Sequence, residues 1–128
     1  MTIGYPITTA ELQSYAGEYG AHSLPLNSSS NVLASSLLVK AGTGTLFGVS
    51  VFNSKASAQF VQLFDLAVLP ADGAVPTATF TVAASSNLGL YFGSVGRSFN
   101  AGILLCNSST AATKTIGSAD CFFDAQYI

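Results

Sequence analysis

Thr77-Ala78-Thr79-Phe80-Thr81-Val82 is the stretch that decides the fold. Ala78, Phe80 and Val82 alternate with three threonines. A period of two gives one apolar and one polar face only when the chain is extended. Threonine, branched at Cβ, also suits a pleated surface. The same alternation resumes at Leu88, Leu90 and Phe92. Working outward from this pair, short apolar runs separated by turn residues predict strands over 32–40, 45–53, 59–67, 77–83, 87–92, 102–107 and 121–127. A further short strand is expected at 95–99. About eight short strands with turns between them predict an all-β fold, a single β-sandwich or jelly-roll-like domain.

Two of these runs are apolar on both faces. Phe47, Val49 and Val51 oppose Leu46 and Phe52; Phe60, Phe64 and Leu66 oppose Val61 and Leu63. Strands of that kind are central and covered twice. In a chain of 128 residues, one of the two covers is expected to be another subunit. The connections fit a β fold. Ala41-Gly42-Thr43-Gly44 and Gly93-Ser94-Val95-Gly96 read as tight turns, and Leu69–Pro76 reads as a longer link built around the Asp72-Gly73 turn.

Residues 1–31 differ from the rest and are read as an N-terminal arm, with the β domain occupying 32–128. The arm holds Tyr5, Tyr15, Tyr19, both glutamates and the single histidine, His22, and shows no apolar alternation. Thr8-Thr9-Ala10-Glu11 reads as a capping box ahead of a short helix over 9–16. Asn27–Asn31 reads as a linker. Amphipathic tyrosines suit interfaces, so Tyr5, Tyr15, Tyr19 and His22 are the candidate contacts with a neighbouring subunit or a larger surface.

Composition narrows the function. Charged residues make up 8 % of the chain, against about 25 % in ordinary soluble domains. Serine and threonine together number 28. A surface of hydroxyls and methyls with so few ions is expected to be buried in part against identical copies. The net charge is −2, and Lys40, Lys55, Arg97 and Lys114 are spread singly. They cannot form the basic stripe that tracks a phosphate backbone, so nucleic acid is not an expected partner. The uncharged span from Gly73 to Gly96 holds Pro76, Asn87 and several hydroxyl residues and does not read as a membrane span. The Met-Thr-Ile-Gly-Tyr-Pro start has neither a basic head nor an apolar core, so no secretory signal is expected and synthesis in a cytoplasm is.

Catalytic patterns fail one by one. A hydrolase triad needs a proton-shuttling histidine, and His22 stands alone in the arm. Ser50 in Gly48-Val49-Ser50-Val51-Phe52 lacks the closing glycine of a nucleophile elbow. Asp120 and Asp124 lie about 13 Å apart on an extended strand, too far for an acid–base dyad. Two cysteines and one distant histidine do not make a zinc site. Gly42–Gly48 opens a strand rather than a helix and cannot cradle a phosphate. No enzyme, cofactor or metal is expected. Cys106 and Cys121 flank a loop; a disulfide forms if their strands pair in register, and otherwise both are buried thiols. Asp65, in an apolar strand, is expected to anchor a turn backbone or Arg97.

Four segments carry a family likeness: Phe64–Pro76, Gly96-Arg97-Ser98-Phe99-Asn100-Ala101-Gly102-Ile103, Asn107-Ser108-Ser109-Thr110, and Cys121-Phe122-Phe123-Asp124-Ala125-Gln126-Tyr127. Together they resemble small virion proteins of tailed bacteriophages, of the capsid decoration (cement) kind and related head or tail accessory domains. The likeness spans about residues 32–128, and no binding residue can be carried over from it. It implies a β-sandwich or jelly roll, often a homotrimer, that sits at junctions of the major capsid protein and reinforces the shell without catalysis. Such a protein is made in the bacterial host cytoplasm and resides on the capsid surface of the virion. The alternative expectation is a carbohydrate- or receptor-binding domain of a phage tail fibre or baseplate. That reading expects exposed aromatic platforms on loops such as 69–76 or 108–119, with Tyr5, Tyr15, Tyr19 or Tyr91 stacking on sugar.

Overall fold

The computed structural model describes residues 24–128. The expected helix over 9–16 and the candidate contacts Tyr5, Tyr15, Tyr19 and His22 lie outside the described residues. Nine strands follow in order: β1 (Leu26–Ser29), β2 (Ser36–Ala41), β3 (Gly44–Asn53), β4 (Gln59–Phe64), β5 (Ala78–Val82), β6 (Ser86–Tyr91), β7 (Arg97–Phe99), β8 (Gly102–Ser108) and β9 (Cys121–Tyr127). All pairings are antiparallel. One sheet runs β1-β9-β3-β6, with β7 also on β3, and the other runs β2-β8-β4-β5.

This order comes from one long ribbon folded back on itself. The ribbon's rungs are β1 with β9, β2 with β8, β3 with β6, and β4 with β5. Alternate rungs fall in alternate sheets, and rolling the ribbon adds the β9–β3 and β8–β4 pairings. That is a jelly roll, the two-sheet form of the β-sandwich, with β7 as an addition. The turn at Ala41–Gly44 carries the chain from one sheet to the other, and Gly73 supplies the positive φ of the Asp-Gly turn.

The core lies between the sheets. Leu46, Val49 and Val51 of β3 and Phe123 and Ala125 of β9 face Val61 and Leu63 of β4 and Ile103 and Leu105 of β8. Ala78 and Phe80 pack against this cluster and Val82 is buried in it, as the alternation in 77–82 requires.

Three expectations need correction. Asn27–Asn31 does not read as strand, yet Leu26–Ser29 pairs with Tyr127–Asp124 and completes the outermost rung. The segment lacks apolar alternation because it is an edge strand held by backbone hydrogen bonds. The Ser30 N–H adds one to the Phe123 carbonyl at 2.9 Å, and the Ser30 hydroxyl accepts from the Phe123 N–H at 3.0 Å. Secondly, the described residues do not cover β3 on both faces, and its apolar residues do not divide as Phe47, Val49 and Val51 against Leu46 and Phe52. A register shift between Leu46 and Gly48 inserts an extra residue, and a bulge of that kind moves later side chains to the other face. Leu46 therefore joins Val49 and Val51 inside, while Phe47 is only half-buried.

Thirdly, the outer face of β4 and β8 needs no second subunit to cover it. Phe64, Leu104 and Cys106 form a small second core with Ala74 packed on it. Its roof is the chain's own loops, 65–77 and 109–120. The loops are joined backbone to backbone, Gly73 N–H to Lys114 carbonyl at 2.7 Å and Lys114 N–H to Ala74 carbonyl at 2.8 Å. Buried Gln62 of β4 directs its Nε2 at the carbonyls of Thr110, Ala111 and Thr113. Lys114 is nearly fully buried and bonds the Asp72 carboxylate, which also accepts from the Ile116 N–H.

Candidate functional site

One sheet is roofed by loops; among the described residues nothing covers the outer face of the other. Register fixes what that face presents. Partners across a sheet project to the same side, so three rows cross the strands. The first holds Asn27, Gln126, Gly48 and Tyr91; the second Ser29, Asp124, Ser50 and Gly89; the third Phe122, Phe52 and Asn87. On β9 this is the plain alternation of 121–127. Cys121, Phe123 and Ala125 go inward, Phe122, Asp124 and Gln126 outward.

The two glycines make a hollow in the middle of this face. A Cβ on Gly89 would meet nothing within 4 Å, and one on Gly48 would lie 3.0 Å from the Gln126 Oε1. The depression has a volume of about 270 Å³ and is bordered by Ser50, Tyr91, Asp124 and Gln126. Beyond Tyr91 and Gln126 it continues into a larger, mainly apolar groove of about 510 Å³ that reaches Leu24, Pro25, Phe47 and Ile128. Both volumes together fall in the range of small-ligand sites. Tyr91 stands between them, 79 % exposed.

The titratable groups elsewhere serve the fold. The Asp65 carboxylate accepts from the N–H groups of Asn100, Ala101 and Gly102, the shortest at 2.7 Å. The Ala101 and Asn100 N–H groups hold its carboxyl below the ordinary value against a smaller opposing effect of burial. This is the expected turn anchor; Arg97 instead donates to the Thr77 carbonyl. The Lys114 hydrogen bond, with the Ile116 N–H, holds Asp72 low. Asp120 lies 4.0 Å from Lys55. Cys106 and Cys121 sit in opposite sheets, on strands that are not neighbours, and both are free and buried. Burial pushes each thiol up to about 11, so neither is a thiolate nucleophile near neutral pH. Among the described residues no group of three metal-ligating side chains is present, and no helix is long and apolar enough to cross a membrane.

The loops expected to carry aromatic platforms, 69–76 and 108–119, hold no aromatic residue and fold against the roofed sheet. The exposed platform is Tyr91, outward because Leu88 and Leu90 face in. Gln126 escapes sequence reading. Its signal is the i, i+2 spacing from Phe122 and Asp124, but its meeting with Tyr91 depends on the strand order β9-β3-β6. No protein family, no curated protein and no solved structure matches the chain.

Proposed function

We propose that this protein is a non-enzymatic virion structural protein, decorating and stabilising the capsid shell of a tailed bacteriophage as a homo-oligomer, a trimer. The observation that carries the reading is a rigid jelly roll whose surface is poor in charge and rich in uncovered apolar side chains. Exposure runs from 63 % at Val32 through 76 % at Val75 and 77 % at Val68 to 82 % at Val95. We read these side chains as contact points with identical copies or with a larger surface. Jelly rolls are used by viral shells and by lectins. Because β1 belongs to the body, the grip on the major capsid protein or on a neighbouring copy falls to the residues ahead of it, where Tyr5, Tyr15, Tyr19 and His22 lie.

Light scattering on the dilute chain is expected to give about three times the 13.1 kDa chain mass. Co-sedimentation with expanded phage heads stripped of decoration protein is expected to retain it. A 13.1 kDa particle that stays in the supernatant overturns the reading.

A further inference from the structure

We infer that the open face of the β1-β9-β3-β6 sheet is a saccharide site: Tyr91 stacks on a neutral sugar ring, and Ser50, Asp124 and Gln126 take its hydroxyls above the Gly48–Gly89 hollow. The inference does not depend on the shell reading. It gives the carbohydrate-binding alternative a place in the fold that the loops do not supply.

The glycines are the first argument. Gly89 lies within a strand, where glycine packs nothing and weakens the element. Its backbone is not in the left-handed region that would demand glycine, and open space lies above it. Neither backbone nor packing explains the missing side chain. A glycine in a strand interior also marks a place where a ligand comes close to the backbone.

The polar groups are the second. Asp65 and Asp72 accept from N–H donors, and Asp120 lies 4.0 Å from Lys55 with its Oδ2 free of hydrogen bonds. Asp124, half-buried beside the hollow, has no hydrogen bond or ion pair from its side chain among the described residues, and neither has Gln126. A carboxylate and a primary amide are planar groups that hold adjacent hydroxyls two at a time. They stand two residues apart on β9, on the same face, with the Ser50 hydroxyl directly across from Asp124. A pyranose offers such hydroxyls at its edge and a sheet of C–H groups on its face, and the exposed Tyr91 ring fits the latter.

Charge selects the class. Among the described residues the hollow is lined by one carboxylate and no cation. Sialic, uronic and sulfated sugars would bring like charge against Asp124, and a nucleic acid would bring phosphates with nothing to neutralise them. Neutral hexoses and N-acetylhexosamines meet no such penalty.

The test uses the full chain on immobilised neutral oligosaccharides (glucans, mannans, galactans and N-acetylglucosamine oligomers), with sialylated and uronic-acid glycans as comparison arms. Retention on at least one neutral series is expected, followed by calorimetry on that glycan. Tyr91→Ala is expected to weaken binding about ten-fold or more, whereas Tyr91→Phe keeps the ring and most of the affinity. Gly89→Val fills the hollow and is expected to abolish binding with the melting temperature unchanged or raised, because valine favours strands. No neutral glycan bound up to about 10 mM, retention of acidic glycans alone, or unchanged affinity in both Tyr91→Ala and Gly89→Val each overturns the site. If Tyr91→Ala lowers the oligomer mass and leaves glycan binding intact, the face belongs to a second copy and the inference fails. Capsid co-sedimentation is a separate readout, so failure here is distinct from failure of the shell reading.

Discussion

Asp65 shows what a single carboxylate does in a chain that has so few. Its oxygens close the turn before β8 by accepting three consecutive backbone N–H groups. Those donors favour the ionised form, so the folded protein holds the carboxyl below its ordinary value of 3.8. A group depressed in the folded state stabilises it fully above the ordinary value, and that contribution is lost as pH falls through the folded one. The melting temperature of Asp65→Asn is therefore expected to lie below that of the native chain at about pH 6. The gap narrows below 3.8 and closes in stronger acid; calorimetry across that range checks it. The anchor was legible before the structure, because an isolated carboxylate in an apolar strand must find donors. That it would choose the 100–102 backbone over Arg97 was not, since the choice depends on where β4 ends relative to β8.

At the scale of elements, the roof over β4 and β8 hangs on Gln62. Its amide is buried and donates to carbonyls of the 109–120 loop. Gln62→Glu, equal in size, removes those donors and sets a buried carboxylate against the same carbonyls. A loss of about 3 kcal/mol is expected, as for a buried group left without partners, read from the midpoint of a urea melt. Gln62→Met, which buries no charge, is expected to lose less. Strand positions with clear alternation, such as 77–82 and 121–127, could be read directly from residue type. The 26–29 strand could not, because Leu-Asn-Ser-Ser buries little and is recruited by the free edge of β9. The division of β3 into two apolar faces was misread for another reason. One bulged residue at the Leu46–Gly48 step reverses the face of everything on one side of it, and no property of Phe47 announces the bulge. Apolar residues on both faces of β4 correctly signalled two covers, but composition cannot distinguish a subunit from two of the chain's own loops.

For the whole molecule, assembly of the candidate face depends on topology. Tyr91 and Asp124 were visible as an aromatic and an acid, yet only the rolled order brings β6 and β9 to either side of β3. The same roll places the first and last described strands side by side, Leu26 opposite Tyr127. Antiparallel partners lie about 5 Å apart, so the ribbon is nearly a closed loop, and where its covalent break falls is of little structural consequence. A circular permutant that joins Ile128 to Leu24 through a short glycine–serine bridge and opens at Gly93–Ser94 is expected to melt cooperatively as an all-β protein by circular dichroism. Within the described residues, a chain leaving the body at Leu24 and one leaving it at Ile128 depart from a single corner.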